Sequence, residues 1–213
     1  MLKYKLFALI AAWTVAVGFG LHKVMVYKAK AGSAGQTPVL WPSNEFVSLS
    51  PAKPTLIMFA HPRCPCTKAS LGELESLAAK ARDRFSATIL FYEPDAEAAS
   101  TQRFDFAAWT NSSLIKETRS SPGLNVVFDP EGRLARRFGA ETSGHIVLYG
   151  SDGKLLFTGG ITGSRGHLGE NAGFEALLGI LNQNSTQASG IKEPVFGCGL
   201  FNQCTTPPLA KRN

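Results

Sequence analysis

No aspartate or glutamate occurs in the first thirty residues, no internal repeat or low-complexity tract occurs anywhere, and the 213-residue chain holds only four cysteines and four histidines. Without repeats, this length and a hydrophobic content of 44% suit one domain with a sizeable core plus appendages; two full domains would be cramped. The missing acids localise the charge. Lys3, Lys5, Lys23, Lys28 and Lys30 stand in that first stretch, so the formal net charge of +6 is mostly theirs, and 17 basic residues face 16 acidic ones over the rest. A nucleic-acid surface needs basic residues gathered on the folded part, where only short clusters such as Arg133, Arg136 and Arg137 remain, and this argues against nucleic acid as a partner. A phosphate-binding loop is missing too. The glycine-rich run Gly159-Gly160-Ile161-Thr162-Gly163-Ser164-Arg165-Gly166-His167 follows a hairpin strand and lacks the required pattern, so it reads as a flexible loop with Arg165 and His167 in solvent.

Charge is also absent from Leu6 to Leu21, sixteen consecutive uncharged and mostly apolar residues, and continuing through His22 and Lys23 to Tyr27 gives a span of twenty-two. That length crosses a bilayer if Lys23 snorkels to the interface. A segment with no polar face is not a helix of a soluble core. We read residues 1–27 as an uncleaved membrane anchor in preference to a signal peptide cut near Ala29-Lys30-Ala31, because the apolar stretch is long and Lys30 is unusual beside a cut. Lysines at both ends leave the orientation unset by charge. The short amino-terminal tail and the cysteine usage favour export of the body to the extracytoplasmic, periplasmic side.

Residues 28–54 contain Gly, Ser, Gln and Asn with Pro38, Pro42 and Pro51 ahead of Pro54, and read as a linker into the domain. From Thr55 to about residue 182, β-like and helix-like segments alternate. Strands are expected at 55–60, 87–92, 125–128, 145–149 and 155–158, and helices at about 66–84, 112–118, 131–138 and 171–181. Such alternation favours an α/β sheet with parallel strands early, and Gly150-Ser151-Asp152-Gly153 joins the last two strands as a hairpin. The first of these helices carries Ala69, Leu74, Leu77, Ala78 and Ala81 at core spacing. The tail, residues 183–213, starts polar, yet holds Val195, Phe196, Cys198, Leu200, Phe201 and Cys204. A disordered tail has little use for such residues, so this end is expected to fold back onto the domain or a partner.

Cys64, Pro65 and Cys66 sit where the apolar run Thr55-Leu56-Ile57-Met58-Phe59-Ala60 gives way to the helical pattern. Two thiols one residue apart at a strand-to-helix turn are a poor staple and a plausible redox site. At a helix N-terminus, unpaired N–H groups and the macrodipole favour the thiolate, the nucleophilic form. Pro65 suits the first turn, where its missing N–H is no loss. His61, Arg63 and Lys68 can add positive potential. A disulfide wants Cα atoms about 4.4–6.8 Å apart, which residues i and i+2 reach only in a distorted turn. A Cys64–Cys66 bridge would therefore be strained and oxidising. Cys198 or Cys204 could instead resolve one of the pair.

The residues Phe59-Ala60-His61-Pro62-Arg63-Cys64-Pro65-Cys66-Thr67-Lys68, with the order of elements around them, resemble the active-site turn of thioredoxin-like proteins, in particular the membrane-tethered, exported members. The resemblance covers roughly residues 39–182. It implies a thioredoxin-like three-layer fold with a central mixed sheet, here behind an N-terminal transmembrane helix, and thiol-disulfide exchange with protein thiols or disulfides as partners. Two departures mark this chain. The cysteine pair is one residue short of Cys-x-x-Cys, and the proline usual before the strand facing the disulfide is missing, since none occurs between Pro130 and Pro194. Gly144 would then supply the backbone freedom, with Thr142 or His145 near the sulfurs; His145 reads equally well as a hydrogen-bonded strand residue.

The expected function is an extracytoplasmic thiol-disulfide oxidoreductase that needs no cofactor, with Cys64 and Cys66 catalytic, Cys64 attacking because it is nearer the exposed loop, and His61, Pro65, Gly144 and His145 in support. One alternative is a soft-metal protein holding Cu(I), or zinc, with Cys64, Cys66 and some of His61, His145, Cys198 and Cys204. Another is a tethered interaction domain without catalysis. A peroxidase is disfavoured because Pro62 stands only two residues before Cys64.

Overall fold

A computed structural model describes residues 2–43, 46–95, 109–183 and 190–201. Two compact units are present, residues 1–30 and 31–213. The first is a single helix, α1 (Leu2–Ala29), of 28 residues. Its rise of about 1.5 Å per residue makes it longer than the ~30 Å hydrocarbon core of a bilayer, and its large apolar side chains, among them Leu9, Trp13, Phe19 and Val24, are exposed. It is long and apolar enough to cross a membrane.

The second unit is built on β1 (Thr55–Ala60), β2 (Ser86–Glu93), β3 (Leu124–Pro130), β4 (His145–Tyr149), β5 (Leu155–Gly159) and the short β6 (Ile191–Lys192). The sheet order is β3-β2-β1-β4-β5-β6. The pairs β1/β2, β2/β3 and β5/β6 are parallel, and β1/β4 and β4/β5 antiparallel. Central β1 is buried along its whole length, which explains why its sequence is a continuous apolar run with no polar alternation.

The two faces of the sheet carry separate cores. Leu56, Met58, Ile146 and Leu148 meet Leu71, Leu74 and Leu77 of α2 (Pro65–Ala81), together with Ile115 of α3 (Ser113–Ser120) and Leu177 of α5 (Ala172–Gln183). On the opposite face Ile57, Phe59, Val147 and Tyr149 meet Leu134, Ala135 and Phe138, in and just after α4 (Arg133–Arg137). The result is a three-layer, helix-sheet-helix body with a central mixed sheet. Leu74 and Leu77 are fully buried, each stabilising by about 1.5–3 kcal/mol.

Local chemistry fixes the helix starts. The Asp129 carboxylate accepts from the N–H groups of Leu134 and Ala135, both at 2.8 Å, and so caps α4 from the end of β3. Ser112 caps α3 through Ile115 N–H, and Asn171 caps α5 through Phe174 N–H. α2 starts at Cys64 with no side-chain cap, and Pro65 opens its first turn.

Residues 31–54 are laid along the body. Gly32 N–H donates to Val195 O at 2.7 Å, Leu155 N–H to Val39 O at 2.9 Å, and Trp41 packs edge-on to Phe138 and Tyr149. Val47 is buried among the α4-side core residues with Trp41 and Leu49 packed against them, a packing that the segment's scattered prolines and polar residues do not announce as an apolar period. The tail does fold back: Val195 and Leu200 are both 1% exposed, and residue 199 bridges Thr142 in antiparallel fashion. Cys204 lies outside the described residues.

Candidate active site

β1 ends at Ala60, and His61-Pro62-Arg63-Cys64 forms a tight turn closed by Cys64 N–H donating to His61 O at 3.0 Å. Pro62 sits at the second position of that turn, where its fixed φ fits. The turn delivers Cys64 to the N-cap of α2, and Thr67 N–H donates back to Cys64 O at 3.1 Å. Both thiols are buried, Cys64 at 2% and Cys66 at 7% exposure. The expectation that Cys64 faces an exposed loop therefore fails; Pro65 and Arg63 are the exposed members of the turn.

Three segments pack against the turn and the start of α2, and one of them reaches the Cys64 sulfur. The first is the loop before β4. Ser143 Oγ accepts from His61 N–H at 2.8 Å and lies 2.8 Å from Thr67 Oγ1. Gly144 N–H donates to Phe59 O at 2.8 Å. Gly144 has φ +90, and a Cβ there would stand 2.8 Å from Ser70 Oγ on α2. Its glycine thus allows both the turn and the close approach.

The second segment is the tail. Cys198 N–H lies 3.4 Å from Cys64 Sγ and points to it, Ser143 N–H donates to Cys198 O at 2.8 Å, and Leu200 N–H donates to Glu141 O at 2.8 Å. The third is the loop after β5, which is docked and not loose: Gly169 N–H donates to the buried Glu73 of α2, and the half-buried Arg165 guanidinium donates to Gly197 O. Arg165 also acts on Cys66.

Electrostatics divide the two thiols. Cys64 is held far below the ordinary thiol range, at about 4, first by a hydrogen bond from the Cys198 side chain, opposed by burial, and then by the Cys198 backbone, the Thr67 hydroxyl and the Cys66 backbone. Hydrogen bonds thus lead, in place of the cationic side chains expected. Lys68 instead pairs with Glu117 at the surface, and the Arg63 guanidinium lies over the Trp109 ring at 5.0 Å. Burial pushes Cys66 up, as does the charge of Cys64, with Arg165 opposing. One thiolate beside one thiol is the arrangement of a nucleophile with a proton-bearing neighbour.

The remaining predicted residues divide. His61 is fully buried, stacked on Tyr92 and edge-on to Trp109, with its Nδ1 accepting from Arg63 N–H at 3.2 Å. It shapes the turn. His145 shares the parity of Val147 and Tyr149 and so faces the α4 side of the sheet, away from α2. Its Nε2 lies 2.8 Å from Thr158 Oγ1, which in turn meets Thr37 Oγ1 at 2.8 Å. This is the strand role, not one at the sulfurs. Among the described residues no group of three His, Cys, Asp or Glu side chains comes together to hold a metal, so Cu(I) gains no support. Thr67, Ser143 and Arg165 are the site residues that sequence reasoning missed. Each reaches the turn through the fold, and only the proximity of Thr142-Ser143-Gly144 to the expected proline position hinted at one of them.

No protein-family model matches the chain, and no curated protein matches it. Solved structures do. An uncharacterized conserved protein from Geobacillus kaustophilus is similar at a TM-score of 0.56 and 20% identity, over 83% of this chain and 94% of that one. A hypothetical protein from Sinorhizobium meliloti 1021 is similar at 0.55 and 19%, over 82% and 96%. The exposed lipoprotein thioredoxin Etrx1 of Streptococcus pneumoniae aligns at 0.42 and 19%, over 62% and 85%, a fit too loose to bear on function. The run β3-β2-β1-β4-β5, parallel then antiparallel, with helices on both faces and a cysteine opening α2, is a thioredoxin-like fold. In this chain the cysteine turn is Cys64-Pro65-Cys66, and the tail reaches it through Cys198 N–H.

Proposed function

We propose that the protein is a thiol-disulfide oxidoreductase tethered by residues 1–27 on the extracytoplasmic side of a membrane, with residues 55–182 as its catalytic domain and Cys64 as the attacking sulfur. The observation that carries this reading is the place of Cys64 at the start of α2 with Cys198 N–H 3.4 Å from its sulfur, donors that favour the thiolate and hold Cys64 well below the ordinary thiol range, at about 4. At neutral pH Cys64 is the thiolate, and Cys66 keeps its proton.

The Cys64 thiolate attacks one sulfur of a partner's disulfide. That bond breaks, a mixed disulfide forms at Cys64, and the departing sulfur takes a proton from solvent. A second thiolate then attacks Cys64 Sγ, so that an internal disulfide forms and the partner leaves reduced, two electrons having passed from the protein to the partner. Cys198 is our choice for this second thiol, because its backbone already touches Cys64 Sγ, whereas Cys66 is one residue from Cys64 in the chain. An acidic Cys64 is also a good leaving group, which makes the internal disulfide oxidising, so the same steps are favoured in reverse: a partner dithiol attacks Cys64 Sγ, Cys198 leaves, the partner's second thiol closes its own disulfide, Cys64 leaves, and two electrons pass to the protein.

Turnover of a peptide disulfide tests the assignment. Cys64→Ser should abolish it, and Cys198→Ser should leave the first attack intact while the mixed disulfide at Cys64 accumulates, as read by mass spectrometry. Undiminished turnover in Cys64→Ser would falsify the proposal.

A further inference from the structure

The tail over Cys64 is held as a strand is held. Ser143 N–H and Leu200 N–H make its two ladder bonds, to Cys198 O and Glu141 O, and Thr142 and Gly199 face each other antiparallel between them. The pairing places a cysteine, Cys198, with its N–H at the Cys64 sulfur. Around it the fit is selective. At Gly197, one residue before the cysteine, a Cβ would come within 1.9 Å of Ser143 O. Two residues after the cysteine, Leu200 is buried among the α4-side core residues, and Phe201 lies under the Arg136 guanidinium at 3.8 Å. Arg165 donates to Gly197 O. Backbone pairing supplies the hold, and a glycine before the cysteine with a large apolar residue two positions after it supplies the selectivity.

We propose that the Glu141–Ser143 edge is the docking site for an extended partner segment of the pattern Gly-Cys-x-apolar, and that the protein's own Cys198–Leu200 strand occupies it until such a segment displaces it. This rests on Cys64 being the reactive thiolate. The contacts that hold the tail fall on its main chain, including the Arg165 guanidinium on Gly197 O, or on the apolar side chains of Leu200 and Phe201, and an incoming segment of the same pattern can reproduce the main-chain pairing and the apolar contact. The partner's disulfide sulfur then stands where the Cys198 thiol stands now. Return of the tail brings Cys198 back to Cys64 as the partner departs.

The probe is the synthetic peptide Pro-Val-Phe-Gly-Cys-Gly-Leu-Phe, identical to residues 194–201, with its cysteine activated as the mixed disulfide with thionitrobenzoate. Attack by Cys64 joins the peptide to Cys64 and releases the coloured thiolate, and mass spectrometry assigns the site. The full chain is compared with Gly197→Val, whose side chain cannot fit against Ser143 O, and with Leu200→Ala, which loosens the tail without a clash should Gly197→Val not fold. Rates are read at pH 9, where loss of the Cys198 hydrogen bonds matters least to ionisation. The expected result is release at Cys64 at least tenfold faster in the tail variants than in the unaltered chain, and a comparable loss when the glycine before the peptide's cysteine is valine. Equal rates in variant and unaltered chain, or indifference to the valine, overturn the docking proposal if a small aromatic disulfide still reacts at Cys64. Failure of that small disulfide to react at Cys64 in any form overturns the reading of Cys64 itself, and the docking proposal with it.

Discussion

At the residue scale the chemistry turns on hydrogen bonds to one sulfur. Cys64 is acidic because donors from residues 66, 67 and 198 converge on it, with Cys198 foremost. Cys198→Ala keeps the backbone donor and removes the side-chain one, so the ionisation of Cys64, followed by thiolate absorbance, should move upward from about 4. A second titration is independent of the sulfurs. Burial holds His145 neutral down to about 4, from an ordinary value of 6.5. Between those values the unfolded chain binds a proton that the folded chain refuses, so stability falls as pH drops from 6.5 to 4. Cys64 acts in the same sense over a wider window, because between about 4 and 9 the unfolded thiol is protonated while the folded one is not. Urea midpoints across pH 4–6.5 should therefore fall with acid, and His145→Gln should flatten part of the slope; an unchanged slope contradicts the burial of a neutral imidazole.

At the scale of elements, α2 and the loop before β4 are set against each other at Gly144. The Cβ of Gly144→Ala would meet Ser70 Oγ at 2.8 Å on a backbone of φ +90. The substitution should cost about 1–3 kcal/mol in urea unfolding, with a slowed first attack because Ser143 shifts with it. These elements were legible in the sequence to different degrees. The strands at 145–149 and 55–60 coincide with the observed ones, because an apolar run between turn residues is a local signal. The helix expected at 66–84 is Pro65–Ala81, ended early where Arg82 and Asp83 take positive φ, which no residue type there announced. The Cys64-Pro65-Cys66 turn was legible for the same local reason, and so was the apolar tail. Arg165 was not: its partner Gly197 is 32 residues away, and its role depends on a loop whose glycines read as slack. His145 was placed near the sulfurs by its position in the chain alone, and strand parity sends it to the other face.

For the whole molecule, the division into a bare apolar helix and a folded body suits a redox domain held at a membrane. The proposed anchor makes a direct prediction. The full chain should sediment with membranes and resist alkaline carbonate, and a chain lacking residues 1–30 should be released while keeping its thiol chemistry, since that chemistry lies within residues 31–213. Release of the full chain by carbonate would remove the tether from the account.

Everything here depends on Cys64 being a thiolate at neutral pH and the first sulfur to react. The direct measurement is the rate of iodoacetamide alkylation at each cysteine of the unaltered, reduced protein against pH, with sites resolved by mass spectrometry. Cys64 should be modified first, with its rate already level above about pH 5, an ionisation near 4, while Cys66 gains reactivity only in the alkaline range. A Cys64 rate that keeps climbing through pH 8–9, or Cys66 labelled ahead of it, would rule out Cys64 as the resting thiolate.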